Sequence, residues 1–351
     1  MKIASLEVIP YALPFRKPYV TARGRLDRRE MVLLRLRSED GLVGLGEAVP
    51  LSLRGGASLS RVVSELEALG GRGALDEGVL RDGATTFSPP ARCAALTALL
   101  DLRSQMADEG SGGPASPIEC NATLVSGAPA AVAEDALAWA TDGFSSFKLK
   151  LGVGDDVGQV RAVREAVGLE ARIRVDANAA WDVETAKRTL GELEPFDVEL
   201  AEQPVGAMGE LAEVGNATSI PIAGDESIES SADAERAVRT GACDFAGVKL
   251  SKVGGPEAAI EIAEVMPCFL SSALDGPVGI AAAAQVAQTL DTARGGGPRL
   301  AHGLATQRLF ASSIASIECE LREGMLHPPA GPGLGVEVDE NALRAHRLDL
   351  R

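Results

Sequence analysis

The spacing of apolar residues divides this chain into three stretches. Over the first 50 residues it suits extended strands. Residues 3–13 have β character and end at Pro14, residues 31–37 form a second run, and residues 42–47 a third. Glu39-Asp40-Gly41 carries the Asp-Gly signal of a tight hairpin between the second and third. The polar, basic stretch 16–29 is long for a hairpin connection and reads as a functional lid or as a plain mobile loop. From 57 to 110 the period becomes helical. Positions 59, 62, 63, 66 and 69 make one stripe, and 91–106, rich in Ala and Leu, follows Pro89-Pro90 as a second helix. The Gly- and Pro-containing stretch 110–117 marks a linker and a domain boundary.

Beyond residue 117, short apolar runs alternate with amphipathic helices. Strands are predicted at 118–124, 147–151, 173–176, 198–202, 220–224, 245–250, 268–272 and 300–302. Val157, Val160, Val163 and Val167 trace one helical stripe; Val183, Ala186, Leu190 and Leu193 trace another, with Asp182 as its N-cap. This alternation argues for a parallel sheet with right-handed crossovers, and eight strands argue for closure into a (β/α)8-type barrel. No GxGxxG follows the first of these strands, which disfavours a dinucleotide fold.

With 351 residues the chain has room for two domains or for one large barrel with an appendage. Aromatic residues are only 3%, so the core has to be built from Ala, Val, Leu and Ile. The net charge of −16 argues against nucleic acid as a partner, and an anionic substrate has to be drawn in by local positive charge. Five dispersed cysteines without a CxxC pair suit buried thiols in a reducing cytoplasm. The N-terminus lacks the apolar core of a signal peptide, and no run of about 18 apolar residues suits a membrane span. The expectation is a cytoplasmic protein that acts on small molecules.

The candidate chemistry starts at Phe147-Lys148-Leu149-Lys150. Alternate side chains of a strand share a face, so the two ammonium groups lie on one side, about 6–7 Å apart. Their repulsion suits a lysine that must lose its proton and act as a base; an exposed edge strand with solvated lysines is the plainer alternative. Lys150, Asp176, Glu202, Asp225 and Lys249 then follow one another at intervals of 26, 26, 23 and 24 residues. One strand–loop–helix–loop unit takes roughly 22–26 residues, so these groups recur with the period of the fold. In a closed barrel they converge on one mouth, where active sites sit.

Singly, each acidic residue could be a helix cap, an ion-pair partner or a solvated turn. Together, three carboxylates without a histidine suit a hard divalent cation such as Mg2+. Lysines on either side suit removal of a proton α to a carboxylate, with the cation stabilising the enediolate. An ordinary lysine pKa of about 10.4 would have to fall toward ~7–8, and both Lys148 and the cation push Lys150 that way. Lys249 faces it as a second acid/base or as an electrostatic partner. Lys252 competes for that role but precedes Gly254-Gly255 and is expected in the loop.

The motifs GLGEAVP (44–50), FKLKLG (147–152), VDANAAW (175–181), AEQP (201–204), GDES (224–227), VKLSKVGG (248–255) and GPGLGVEVD (331–339) resemble the enolase superfamily, specifically its muconate lactonizing branch. The resemblance implies an α/β fold: a modified (β/α)7β TIM-like barrel over 116–319, with an N-terminal α+β capping domain over 1–115 to which 320–351 return. It implies Asp176, Glu202 and Asp225 as ligands of Mg2+, with Mn2+ possible. It further implies Lys150 as base, Lys249 as its opposite partner, and Lys148 and Asn178 as supports.

The ends of the last two strands, SSALDGPVGI (271–280) and HGLAT (302–306), are similar to those of o-succinylbenzoate synthases, hydro-lyases of menaquinone biosynthesis. That places Ser271 and Ser272 at the substrate, with the 16–29 loop closing over it. Asp275-Gly276-Pro277 stands where many synthases carry Glu-Thr-Ser. The acidic DxD motif by which dipeptide epimerases hold a substrate ammonium does not occur near His302. The implied activity is a Mg2+-dependent syn-dehydration of a small carboxylate. An N-acylamino acid racemase, or another racemase or cycloisomerase of the branch, is the alternative. A non-catalytic binding paralogue is the alternative of another class.

Overall fold

The computed structural model describes residues 1–21, 24–52, 55–71, 75–107, 116–293 and 300–350. The linker predicted at 110–117 lies outside the described residues up to 115.

Strands β1 (Lys2–Thr21) and β2 (Gly24–Ser38) form one long antiparallel hairpin, paired from Ile3↔Ser38 to Thr21↔Gly24. The stretch predicted as a loop at 16–29 is therefore the outer half of this hairpin. Its pairing shifts register between Pro14 and Tyr19, where Pro14 and Pro18 offer no amide to the ladder. Proline bends the ribbon there without ending it. Phe15 stacks on Phe310 of the barrel at 4.9 Å between ring centroids and anchors the bend.

Strand β3 (Val43–Ala48) pairs with β2, and β4 (Leu75–Asp76) pairs with β1. Helices α1 (Leu59–Gly70), α2 (Glu77–Ala84) and α3 (Pro89–Ala107) cover one face. The two-residue alternation of β2 divides its burial. Val32, Leu34 and Leu36 pack under these helices, while Met31 and Leu33 join the barrel's core. The sheet is thus a layer between two cores. Gly44 and Gly46 let α3 lie directly on β3, because a Cβ at either would strike the carbonyl oxygen of Ala98 or Ala94.

The second core lies between a parallel sheet and the helices around it. After the short β5 (Ile118–Glu119), the strands of this sheet are β6 (Ala122–Leu124), β7 (Ser146–Lys150), β8 (Arg172–Asp176), β9 (Val198–Glu202), β10 (Ile222–Gly224), β11 (Phe245–Val248) and β12 (Cys268–Leu270), which run in sequence order. Helices α4 (Pro129–Thr141), α5 (Asp156–Val167), α6 (Val183–Leu193), α7 (Met208–Gly215) and α8 (Ser231–Thr240) alternate with them. The one-turn α9 (Leu250–Val253), α10 (Pro256–Val265) and α11 (Pro277–Ala293) complete the set. Asp182 caps α6 as predicted, its side chain accepting from the Thr185 amide.

The predicted strand at 118–124 is two pieces, and β5 pairs with the C-terminal segment instead. The predicted strand at 300–302 is not a regular strand. The circle closes through single bridges, Cys120↔His302 and Ser271↔Gly303. The amides of Asn121 and Gly303 donate to His302 O at 2.9 Å and Leu270 O at 2.8 Å.

The C-terminal elements are β13 (Ala315–Ile317), β14 (Glu320–Arg322), β15 (Met325–His327), β16 (Glu337–Val338) and α12 (Glu340–His346). Glu340 pairs with Arg35, and the Leu348 amide donates to Pro10 O at 2.9 Å, so this segment returns to the antiparallel sheet. The five cysteines form no disulfide, and all but Cys243 are buried. Among the described residues no helix is long and apolar enough to cross a membrane.

Candidate active site

The parallel register turns the sequence period into spatial adjacency. Lys150 is the partner of Asp176, and Asp176 of Glu202, on neighbouring strands. Asp225 directly follows β10, and Lys249 directly follows β11. All five are buried, none more than 7% exposed, as are Lys148 and Lys252. The solvated edge-strand reading of the KxK motif therefore fails.

The charged groups interlock. Lys148 Nζ donates to Glu202 Oε2 at 2.6 Å and lies 2.8 Å from Asp176 Oδ2. Lys150 Nζ donates to the same Asp176 oxygen at 2.5 Å and to Asn178 Oδ1 at 3.1 Å. Lys249 Nζ donates to Asp225 Oδ2. Lys252, expected in the loop, sits in α9 with its ammonium 3.0 Å from Asp225 Oδ1 and bonded to the Asp225 carbonyl. One helical turn directly after β11 bends the chain back toward the rim, so Lys252 shares the site with Lys249.

Burial alone would raise the Asp176 carboxyl, but Lys148, Lys150 and Lys249 together hold it well below the usual carboxylate range. Glu202 is raised, first by burial and then by the charge of Asp176, against Lys148. Burial and Lys148 push Lys150 down, as expected, but Asp176, Tyr19 and Glu202 together outweigh them and its pKa lies above the ordinary value. The protein groups alone thus do not lower Lys150; a cation on the Asp176 carboxylate would act in the lowering direction.

Among the described residues no three His, Cys, Asp or Glu side chains stand ready as a metal cage, and lysine ammoniums lie on the carboxylates. The donor set nevertheless fits a hard cation. Asp176, Glu202 and Asp225 are oxygen-only ligands on consecutive strands, and Glu202 Oε1 is buried with no hydrogen-bond partner. A cation there has to share or displace oxygens that Lys148 and Lys249 hold.

The backbone is strained around this cluster. Asn178 (φ 48°), Ala179 (φ 60°), Gln203 (φ 42°) and Leu274 (φ 68°) are left-handed, and all follow barrel strands. Gln203, unnoticed in the sequence beyond its AEQP motif, accepts the Asp225 amide at 2.8 Å on its Oε1 and so orients that carboxylate's strand end. Asn178 accepts Lys150 on its Oδ1, and its backbone N–H donates to Asp176 Oδ1 at 2.9 Å.

A cleft opens above the cluster. Lys148, Lys150, Lys249 and Asn178 form its floor, and Ser271 and Ser272 one wall. The Ser272 hydroxyl is engaged with Asp275 Oδ2 at 2.7 Å, so it supports the wall's turn. Tyr19, Leu26 and Arg29 of the β1–β2 hairpin cover the cleft; the 16–29 stretch lies over the site, as expected of it, but as strand. Arg29, also missed, is buried, with its guanidinium donating to Pro50 O at 2.9 Å. Among the described lining residues four are basic and none is acidic.

Residues 131–342 match the family model for the enolase C-terminal domain-like fold, and residues 3–72 that for the mandelate racemase / muconate lactonizing enzyme N-terminal domain. An o-succinylbenzoate synthase of Thermobifida fusca (strain YX) is 36% identical over 219 residues, which span 60% of this chain and 65% of that protein. The structure of 2-chloromuconate cycloisomerase from Rhodococcus opacus 1CP superposes with a TM-score of 0.90 at 27% identity, covering 99% of this chain and 100% of that one. A dipeptide epimerase from Enterococcus faecalis V583, complexed with Mg and the dipeptide L-Leu-L-Tyr, gives 0.87 at 27% identity over 96% and 100%. The family models cover most of the chain and both of its layers, and the chain is an enzyme of the enolase superfamily.

Proposed function

We propose that this enzyme is an o-succinylbenzoate synthase. Its substrate would be 2-succinyl-6-hydroxy-2,4-cyclohexadiene-1-carboxylate, and the reaction a syn-dehydration that serves menaquinone biosynthesis. The observation that carries this reading is the cleft itself. Its lining is basic without a carboxylate, which suits a substrate with two carboxylates and offers nothing to the ammonium of a dipeptide. The match to the Thermobifida fusca synthase supports the same choice.

Lys150 takes the proton α to the ring carboxylate, its amine aimed by Asp176 and Asn178. A Mg2+ or Mn2+ held by Asp176, Glu202 and Asp225 would supply charge stabilisation for the enediolate. The hydroxyl group leaves from the same face, and the proton on Lys150 departs with it as water. Lys249, across the barrel from Lys150 and lining the same cleft, stabilises the anion electrostatically. Arg29 and the hairpin exclude water from above.

A racemase or cycloisomerase of the same branch is the second reading, favoured by lysines from opposite sides of the barrel, Lys150 and Lys249, in one cleft. One experiment separates them. The purified protein, with Mg2+, is assayed on the cyclohexadiene substrate, on N-succinyl amino acids and on muconate, together with its Lys249→Ala variant. Dehydration that survives in the variant at a reduced rate supports the synthase. Racemisation faster than dehydration, lost in the variant, would overturn it.

A further inference from the structure

Glu47 is the acidic residue of the 44–50 motif, and none of the roles above uses it. It lies on β3, buried where the capping sheet meets the barrel. Its Oε1 accepts the Gly276 amide at 2.6 Å. That amide stands at the start of α11, where the first N–H groups have no carbonyl of their own helix to meet. The positive end of the helix dipole points the same way. Glu47 Oε2 accepts the hydroxyl of Tyr11, from β1, at 2.8 Å. Glu47 thus caps a barrel helix from another layer of the molecule.

The loop between β12 and α11 is tied to the same place. Asp275 Oδ2 accepts Ser272 Oγ and the Ala273 amide, each at 2.7 Å, which folds 271–276 into a tight turn. Ser251 Oγ, two residues past Lys249, accepts the Val49 amide at 3.3 Å and reaches Asp275 Oδ1 at 3.5 Å. The end of β3 therefore braces two of the loops that carry cleft residues. A Cβ on Gly276 would fall on the Tyr11 hydroxyl and 2.7 Å from Glu47 Oε2; one on Gly279 would come within 2.8 Å of Glu47 Oε1. Neither glycine has positive φ, so both serve room for the carboxylate and not conformational freedom.

We propose that Glu47 is a positioning residue: seated under the first turn of α11, it docks the capping sheet on the β12–α11 loop and so fixes Ser271, Ser272 and Leu274 in the cleft wall. The docking stands on these contacts. Its effect on turnover rests on the function proposed above.

Glu47→Asp keeps the carboxyl group but withdraws it from the Gly276 amide, whereas Glu47→Gln keeps the reach and an acceptor oxygen without the acid. Hydrogen exchange of the full-length protein reads the docking directly. In Glu47→Asp, amides of 271–283 should exchange about tenfold faster, while those of β7, β8 and β9 stay unchanged. In Glu47→Gln the pattern should stay near wild type. KM for the turned-over carboxylate should rise about tenfold in Glu47→Asp with kcat within about twofold, and return toward wild type in Glu47→Gln. Exchange that rises evenly over the chain, or a Gln variant worse than the Asp variant, would overturn the proposal. Absence of turnover in the wild type would sink the assigned reaction, and the exchange pattern would still decide the docking.

Discussion

Replacing Lys148 with Met removes the ammonium that joins Asp176 to Glu202. Asp176 keeps Lys150 at 2.5 Å. Glu202 is worse placed, because its Oε2 loses a 2.6 Å partner and its buried Oε1 has none. Breaking a buried pair on one side costs about 3–5 kcal/mol. A second route is for Glu202 to take up a proton. From the ordinary value of 4.5, that costs about 3.4 kcal/mol at pH 7. The cheaper route sets the ceiling, so the variant should lose about 3 kcal/mol at pH 7. The sign with pH follows. Glu202 is already raised in the folded wild type, and losing Lys148, which holds it down, raises it further, so the folded variant binds more protons than wild type through that window and is destabilised more as pH rises. The deficit against wild type should shrink by up to about 1.4 kcal/mol for each unit of acidification between pH 7 and 5. Urea unfolding of both proteins in chelator at pH 7, 6 and 5 measures it. Added Mg2+ should narrow the deficit, since a dication can take the ammonium's place between the carboxylates. A deficit under about 1 kcal/mol at pH 7, or one that does not change with pH, would refute the reasoning by showing that water or another donor reaches Glu202.

Lys150→Ala should abolish turnover on every substrate the wild type accepts, while Mg2+ still raises the melting temperature; retained turnover would remove Lys150 from the role of base. Arg29→Leu should raise KM about tenfold for a dicarboxylate with kcat little changed, and a kcat loss of similar size would instead place Arg29 in the chemical step. Burial first, and the charge of Asp275 second, push Glu47 up to about 8, against the amides of Gly276 and Gly279 and the Tyr11 hydroxyl. Cys93 and Glu318 also face this group through Asp275 and Tyr11, and Arg29 faces Asp275. A raised carboxyl contributes stability that is present in full below the ordinary 4.5 and lost as pH rises toward 8. Wild type should therefore lose stability relative to Glu47→Gln across that range, by on the order of a few kcal/mol in urea unfolding, and parallel curves would contradict it.

The groups that sit at strand ends were legible because the fold repeats at the spacing of the chemistry. Lys150, Asp176, Glu202, Asp225 and Lys249 each occupy the same step of a strand–helix unit, so counting residues was enough to gather them. Lys252 and Arg29 obey no such count. Lys252 reaches Asp225 only because α9 turns immediately after β11, and Arg29 reaches the cleft because it pairs with Leu13 in a hairpin that crosses the barrel mouth. The hairpin itself was misread for a related reason: prolines and dense charge signal a loop locally, while the pairing of Tyr19 with Leu26 and of Leu13 with Arg29 is set by the ribbon as a whole. The last barrel strand was placed at the right residues but overstated, since two bridges suffice to close the circle. The push of Lys148 on Lys150 was legible, because the sequence shows which lysines share a face; that Asp176 lies 2.5 Å from Lys150 and raises it was not.

Charge balance joins these observations. Four buried ammonium groups, from Lys148, Lys150, Lys249 and Lys252, meet three buried carboxylates. That shell is already positive inside a chain whose net charge is −16. A dication added to it would be opposed by the lysines unless negative charge entered with it or a proton left. A substrate carboxylate supplies the first, and a lysine that gives up its proton to serve as base supplies the second. The features that look unfavourable for stability, crowded lysines and carboxylates out of reach of water, are thus the ones that make binding of an anion and loss of a lysine proton mutually favourable. A cleft lined by basic groups and no acid then selects its ligands by the same balance that prepares its base.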